Sequence, residues 1–403
     1  MSFHRDFYFI NGYQTSKTFG VWRLVLKALI GTKSYPASSF LLSLFPNSTN
    51  WLIFISMNIY LDDTHVKENL IPFSLTRHVA DINIGIFSIR EKWEKLLEGV
   101  ATISNSPENA VVINAAIIPT VDNFQTIIDK SKTGVHIEAD DSIKIIKYPW
   151  HIFQLNDWAL RMDFKLISKE NQAQKIPETV QVIHAEDVFL SEGVQISHCI
   201  LNASTGPIYI AKGAQIMEGA MIRGPFSLGE NAVVKMGAKI YGATSIGKQS
   251  VVGGEIKNAV IFDYSNKAHD GYLGDSVIGS WCNLGAGTTN SNVKNNYSSV
   301  KMQLSNQLKN IEAGNKVGLI MGDYSKSAIN TSFNTGTVVG VSCNIFGNKM
   351  QPKFLPNFTW GNETYNIDKA IVDIQKWKQS KQQEITKQEI EILKNIHQNL
   401  RHA

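Results

Sequence analysis

Cysteine is scarce in this chain: Cys199, Cys282 and Cys343 are the only three in 403 residues. An odd and widely spaced set builds no disulfide framework, and without a CxxC pair it offers no zinc spacing. The three read as buried thiols of a protein kept in a reducing, cytoplasmic compartment. Charge is also sparse, 18% of residues with a formal net of +4 and no basic block. That argues against nucleic acid as a partner and tolerates phosphorylated substrates. Nor is any apolar stretch of membrane length. Residues 34–61 carry no charge and contain FLLSLF and WLIFIS, but Pro46-Asn47-Ser48-Thr49-Asn50 divides them. Neither half approaches the ~20 residues that a span needs, so no membrane contact is expected. Arg5, Asp6 and Gly12 do not set a basic end before an apolar core, so a secretory leader is not expected either.

A length of 403 residues predicts two or three domains, and 43% hydrophobic content supports a sizeable core. Residues 1–56 differ in character from the rest of the chain. Met57 opens MNIYLDD, a first strand followed by acidic residues. Met57 therefore reads as the natural start, and residues 1–56 as a non-native or disordered extension.

What the chain has in quantity is a period of six. Ile210, Ile216, Ile222, Leu228, Val234, Ile240, Ile246 and Val252 recur at intervals of six, with glycines between them. Neither a helix (period 3.6) nor an alternating strand (period 2) produces that spacing. A hexapeptide repeat does: each hexad is a short strand plus a corner, and stacked coils bury an aliphatic column that one repeat could not bury alone. The spacing also appears at Val182, Val188, Val194 and Ile200, and again at Ile278 and Leu284. The expectation is a parallel β-helix over residues 178–350.

Residues 57–173 read as a small α/β module. Residues 58–61 predict a strand and ENLIPFSLTRHVADINIG an extended loop. Ser88 and Glu91 form a capping box before a helix over residues 89–97. AVVINAAII (residues 110–118) reads as one continuous buried strand, and YPWHIFQLN opens a helix leading to the β-helix. After the β-helix, residues 351–403 predict a rigid aromatic crossing and a helix whose apolar stripe is Ile367, Ala370, Ile371, Ile374 and Trp377.

Chemistry is expected where the rhythm fails, because departures from a regular scaffold are where a pocket can be built. Val252 to Ile278 is 26 residues, four hexads plus two. That slip holds Glu255, Lys257, Lys267, His269, Asp270 and Tyr272. A second break, TTNSNVKNNYSS, is rich in asparagine and reads as a polar excursion. From position alone, His269 is as well described as a surface histidine in a turn as a functional one.

KAHDGYLGDSVIGSWCNLGAGTTNSN resembles the acetyltransferase signature of the bifunctional N-acetylglucosamine-1-phosphate uridyltransferase / glucosamine-1-phosphate acetyltransferase family. The His-x-x-Tyr-Leu-Gly-Asp element stands at residues 269–275, and the Asn-Leu-Gly-Ala-Gly-Thr element at residues 283–288. The resemblance implies a left-handed β-helix that forms a homotrimer and transfers the acetyl group of acetyl coenzyme A. It makes His269 the general base and Tyr272 a substrate-phosphate and transition-state contact. Lys257 matches a lysine that holds the sugar phosphate. Asn283 and Asn292 match residues that position the amino sugar and the base, and Ala286 matches a backbone contact to the acetyl carrier. A second phosphate-binding lysine of that family falls on Ser298 here, with Lys294 and Lys301 nearby. The acetyl coenzyme A segment would fall over residues 321–334.

Leu75-Thr76-Arg77, Ala80-Asp81-Ile82, Gly85 and Arg90-Glu91-Lys92-Trp93 resemble a branch of sugar nucleotidyltransferases fused to such β-helices, and YPWHIFQLN resembles a helix of the same group. The resemblance implies a sugar-1-phosphate and a nucleoside triphosphate as substrates, with Mg²⁺ for the transfer. Arg77 and Lys92 would neutralise the triphosphate at the helix start near Ser88. The Gly-rich phosphate loop is missing after the first strand, and Asn114 stands where a magnesium-binding Asp is expected. Asp62, Asp63 and Asp81 are the remaining carboxylate candidates. Two other classes stay open. One is an acyltransferase whose front module only binds or scaffolds. The other is a metal-dependent β-helix hydratase, which would need His184, His198 and His269 to converge on zinc.

Overall fold

The computed structural model describes residues 57–98, 101–167, 174–305 and 310–401, so the reading of residues 1–56 lies outside the described residues. From Gln181 to Trp360 the chain winds a three-faced parallel β-helix, one short strand per face in each coil. Face one stacks Gln181–Ile183, Ile200–Asn202, Met221–Arg223 and Lys239–Tyr241; face two begins with Val188–Leu190 and Ile208–Ile210; face three begins with Gln195–Ile196 and Gln215–Ile216. The hexad residues point inward as predicted: Ile210, Ile216, Ile222 and Leu228 are at most 2% exposed. All three cysteines are buried and free, and burial pushes the Cys199 thiol up to about 11.

Register locates the slip. Ile222 pairs with Ile240, 18 residues on, which is three hexads. Ile240 then pairs with Ile256 after 16 residues, and Ile256 with Leu273 after 17. The missing residues come from the corners. In Glu255–Ile261 and Tyr272–Ile278 a single strand runs across faces one and two without a full turn between them. At the edge joining face three to face one, Gly253-Gly254 is all that separates Val252 from Glu255.

The edge joining face two to face three carries left-handed residues in every coil from Asn231 to Phe358. Each backbone N–H there bonds a carbonyl of the preceding coil, as Trp281 does to Asp263 and Tyr324 to Ser280. In early coils the position is glycine or a polar residue. In later coils it is Tyr264, Trp281 and Tyr324, bulky side chains that disfavour positive φ. Stacking offsets part of that cost, with the rings of Tyr264 and Trp281 4.2 Å apart and nearly parallel. The end of the chain forms two helices, Ile367–Gln379 and Lys387–Gln398, that cover this aromatic edge. Ala370 and Ile374 of the first and Leu393 and Ile396 of the second pack with Trp281, Tyr324 and Phe358.

The N-terminal module has a three-stranded parallel sheet with Met57–Asp62 between Ala101–Ile103 and Ala110–Asn114. Its helices are Ile89–Leu97, Phe124–Lys132, Trp150–Gln154 and Asn156–Leu166. The capping box at Ser88 forms, with Glu91 N donating to Ser88 Oγ at 3.2 Å and Ser88 N to Glu91 Oε2 at 2.7 Å. Two expectations are corrected. Residues 110–118 split into Ala110–Asn114 and Ile117–Ile118, and Val112 is 46% exposed, because side chains alternate along the strand and Val112 lies on the face opposite the buried Ile113. The predicted extended loop is instead three short 3₁₀ turns, with Leu70, Phe73, Val79 and Ala80 buried. The module shares its core with face two of the β-helix: Val260, Phe262, Val277, Ile320 and Val338 pack among its side chains. The second break, after Asn290, sends out an excursion whose Val300, Met302 and Val317 join that same core.

Candidate functional site

The site is built on face one, where the rhythm fails. Side chains alternate across a strand, so Ile256 and Leu273 turn inward while Glu255, Lys257 and Tyr272 face out. Tyr272 lies beside Glu255, and Lys257 beside Gly274 on one side and Tyr241 on the other. The Tyr272 ring folds back over its own strand. A Cβ at position 274 would sit 2.2 Å from Tyr272 Oη, so any other residue there would displace the ring from its present seat. Tyr241 Oη donates to Glu255 Oε1 at 2.6 Å, and Lys257 Nζ lies 5.9 Å from the Tyr241 ring centre.

Asn292 reaches this cluster from the start of the excursion. Its Nδ2 donates to Tyr272 Oη at 3.1 Å and to Asp275 Oδ2 at 2.5 Å. Asp275, 4% exposed, also accepts from Asn258 Nδ2 at 2.7 Å. Burial, with the Asp275 carboxylate beside it, pushes the Tyr272 phenol up to about 12. The phenol is therefore neutral at working pH. Its oxygen accepts from Asn292, which leaves its hydrogen to donate to an anionic ligand.

His269 lies at the edge between face three and face one, exposed to solvent. Ala286 is on the same edge one coil later, where Gly287 N bonds Asp270 O. The Ala286 carbonyl already accepts from Asn330 N at 2.7 Å. Asn283 is across the edge on face three, beside Asn266 and Lys326. The structure thus gathers Lys257, Tyr272 and Asn292, sets His269 and Ala286 at their border, and leaves Asn283 on another face. Sequence reading assigns no role here to Asp275, Asn258, Glu255 or Tyr241. Their αL or strand positions are visible only in the coil register.

Lys294 Nζ bonds the carbonyl of Ser299 and lies 3.4 Å from Ser298 Oγ, so it fills the place next to the expected second lysine. Arg77 and Lys92 are placed differently from a triphosphate cradle. Arg77 pairs with Asp323 of the β-helix, bonds Ser280 Oγ at 3.2 Å and lies 4.8 Å over the Phe262 ring. Lys92 is fully buried, paired with Asp163 and donating to Ile84 O at 2.7 Å. Lys92 holds the module together, and Arg77 ties it to the solenoid.

Asp62 and Asn114 lie side by side at the carboxyl end of the parallel sheet, the end where α/β sheets bind ligands. Asp62 Oδ1 accepts from Thr64 Oγ1 at 2.6 Å, Asp63 Oδ2 from Val79 N at 3.2 Å, and Asp81 is paired with Arg90. Among the described residues, the group close enough to share a metal ion is His184, Glu186 and Asp187, all exposed. Asp62 and Asp63 therefore fit Mg²⁺ only as one or two carboxylates assisting phosphate oxygens. His198 and His269 occupy the same edge but four coils apart, about 19 Å at ~4.8 Å per coil, so one chain does not bring them to a common zinc.

Residues 58–136 match the sugar nucleotidyl transferase family. The bifunctional protein GlmU of Methanocaldococcus jannaschii is 37% identical over 89 residues, 22% of this chain and 21% of that one. The protein of the same name from Methanococcus maripaludis is 30% identical over 262 residues, 64% of this chain and 54% of that one. A bifunctional sugar-1-phosphate nucleotidylyltransferase/acetyltransferase of Sulfurisphaera tokodaii is 27% identical over 304 residues, 70% of this chain and 68% of that one. This chain thus spans about half or less of the first two relatives. An alignment of 262 residues is longer than everything before the β-helix, so the likeness takes in solenoid as well as module.

Proposed function

We propose that this chain is a transferase of sugar-nucleotide biosynthesis whose β-helix N-acetylates an amino-sugar phosphate with acetyl coenzyme A. The observation that supports it most is the convergence of Lys257, Tyr272 and Asn292 beside an exposed His269. The amine of the sugar attacks the thioester carbonyl, the C–S bond breaks, and the amine must lose a proton. A histidine base suits that step near neutrality. The Lys257 ammonium and the Tyr272 hydroxyl complement the phosphate, and Asn292 and the Ala286 backbone position the sugar and the acyl carrier. Asn283 lies on a different face from Tyr272, which favours a homotrimer in which a neighbouring protomer completes the site. Among the described residues, no helix is long and apolar enough to cross a membrane, and the buried thiols suit the cytoplasm.

The module's resemblance assigns it nucleotidyl transfer from a nucleoside triphosphate to a sugar-1-phosphate, with Mg²⁺ near Asp62 and Asp63. A second reading, a module that only scaffolds, is favoured by the engagement of Arg77 and Lys92 in ion pairs with Asp323 and Asp163. One experiment separates the readings. The full chain is incubated with glucosamine-1-phosphate, acetyl coenzyme A, Mg²⁺ and nucleoside triphosphates, and free thiol and pyrophosphate are measured independently. Thiol without pyrophosphate supports the scaffold; both products support two activities; no thiol overturns acetyl transfer.

A further inference from the structure

Lys267 occupies a position that the repeat reserves for an aliphatic side chain. It stands opposite Val252 in the register of face three, in the column that continues with Leu284, and it is 2% exposed. Burying an ammonium there is costly unless hydrogen bonds satisfy it, and methionine or leucine would fill the space more cheaply. Its Nζ donates to two backbone carbonyls, Gly253 O at 3.0 Å and His269 O at 2.5 Å. These carbonyls belong to successive coils at one edge. The lower coil is the short corner, where Cβ atoms on Gly253 and Gly254 would fall 2.4 Å from Ala268 O and 2.8 Å from His269 O. The His269 turn therefore sits directly on the two glycines, and the lysine pins it from inside.

The structure assigns Lys267 as the positioning residue for His269: from the bore of the β-helix its ammonium ties the His269 carbonyl to the short Gly253-Gly254 corner and so fixes where the imidazole stands. This role rests on the reading of His269 as the base of acetyl transfer. Lys267 touches no substrate. It acts by holding the backbone of the residue that does, and a displacement of about 1 Å at a reacting group can cost roughly 10²-fold in rate. Burial pushes the ammonium down to about 8, with Asp270 the carboxylate that opposes this. At neutral pH it keeps the proton that both bonds need.

The test compares wild type, Lys267→Met, His269→Ala and the double variant, each as the full chain. Lys267→Met restores the aliphatic column, so its Tm should equal or exceed that of wild type, which removes unfolding as an explanation. Acetyl transfer to glucosamine-1-phosphate should fall by roughly 10²-fold in kcat, with KM for the sugar phosphate within about twofold. In the double variant, Lys267→Met should slow His269→Ala no further, since it acts through that residue. Hydrogen exchange is read in parallel: the peptide spanning residues 266–272 should exchange about tenfold faster, while the early coils are unchanged. Full kcat in Lys267→Met, an additive double variant, or unchanged exchange at that corner would overturn the assignment. Absence of transfer in wild type would instead overturn the function of His269, and the exchange result would still decide whether Lys267 holds the turn.

Discussion

Basic residues of the module and of the solenoid look alike in sequence and are put to opposite uses. Arg77 and Lys92 lie in motifs that suggest a bound triphosphate, yet each is paired with a carboxylate, the half-buried Arg77 with Asp323 and the buried Lys92 with Asp163. Lys257 lies outside any module and faces solvent on a flat sheet, near a tyrosine and an amide that are themselves held in place. The module is small and lacks enough interior of its own, so it completes its core on face two and uses charge to secure the junction. The solenoid is stabilised by a repeating column, which leaves its outward side chains free for ligands. Pairing with a carboxylate, not residue type, divides the cations that tie the fold together from the one that faces a ligand.

The largest effect should come from breaking the module's pair. Lys92→Ala leaves the buried Asp163 carboxylate without its countercharge, held only by the backbone N–H groups of Ile86 and Phe87, and unfolding in urea should show a loss of about 3–5 kcal/mol. Replacing the pair by Lys92→Met with Asp163→Asn, which removes both charges and keeps an acceptor for Ile86 N, should recover most of that. If the double variant retains stability and pyrophosphate release with a sugar-1-phosphate persists, Lys92 has no part in nucleotide binding. On the solenoid the opposite pattern is expected. His269→Ala should lower acetyl transfer by roughly 10²–10⁴-fold and leave the melting curve in place, because an exposed side chain at an edge supports no part of the column. A melting temperature that falls with activity would erase the contrast between the two regions.

Smaller effects sharpen the contrast. Lys257→Ala should raise KM for the sugar phosphate with little change in kcat, as expected for a contact made equally in ground and transition states. Tyr272→Phe should behave likewise, since its hydroxyl is a neutral donor held by Asn292. The smallest change is a slope. Lys267 loses its proton at about 8 in the folded protein and near its ordinary 10.5 when unfolded. Below about pH 8 both states hold the proton and the cost of burial is full. Between about 8 and 10.5 only the unfolded chain binds it, so folding stability rises with pH. Urea melts of wild type and Lys267→Met should therefore shift in favour of wild type across that window, and parallel curves would mean that the ammonium is not buried.

The legible parts of the sequence were those with a period or a local cap. Ile210, Ile216, Ile222 and Leu228 announce a column because each repeats the same environment, and Ser88 with Glu91 marks a helix start because the bonding partners are three residues apart. His269, Lys257, Tyr272 and Asn292 were legible as a signature, but Asp275, which holds Asn292, was seen only as one letter of it. Residues 110–118 misled because a run of apolar residues on a strand with one open face looks the same in sequence as one buried on both faces. The asparagine-rich stretch stays out of the core from Asn292 to Ser299, as read, while Val300 and Met302 just beyond it carried no reading and are core.

By itself, then, the sequence determined the β-helix, its inward column and the place where the rhythm breaks, because those depend on spacing along the chain and on one repeated contact. Tertiary structure decided which charges are free. Whether Arg77 meets a phosphate or Asp323 depends on a coil far along the chain, and whether Lys267 faces water or two carbonyls in the bore depends on how two successive coils stack. A charge is functional or structural according to what shares its solvent, and linear order carries no record of that.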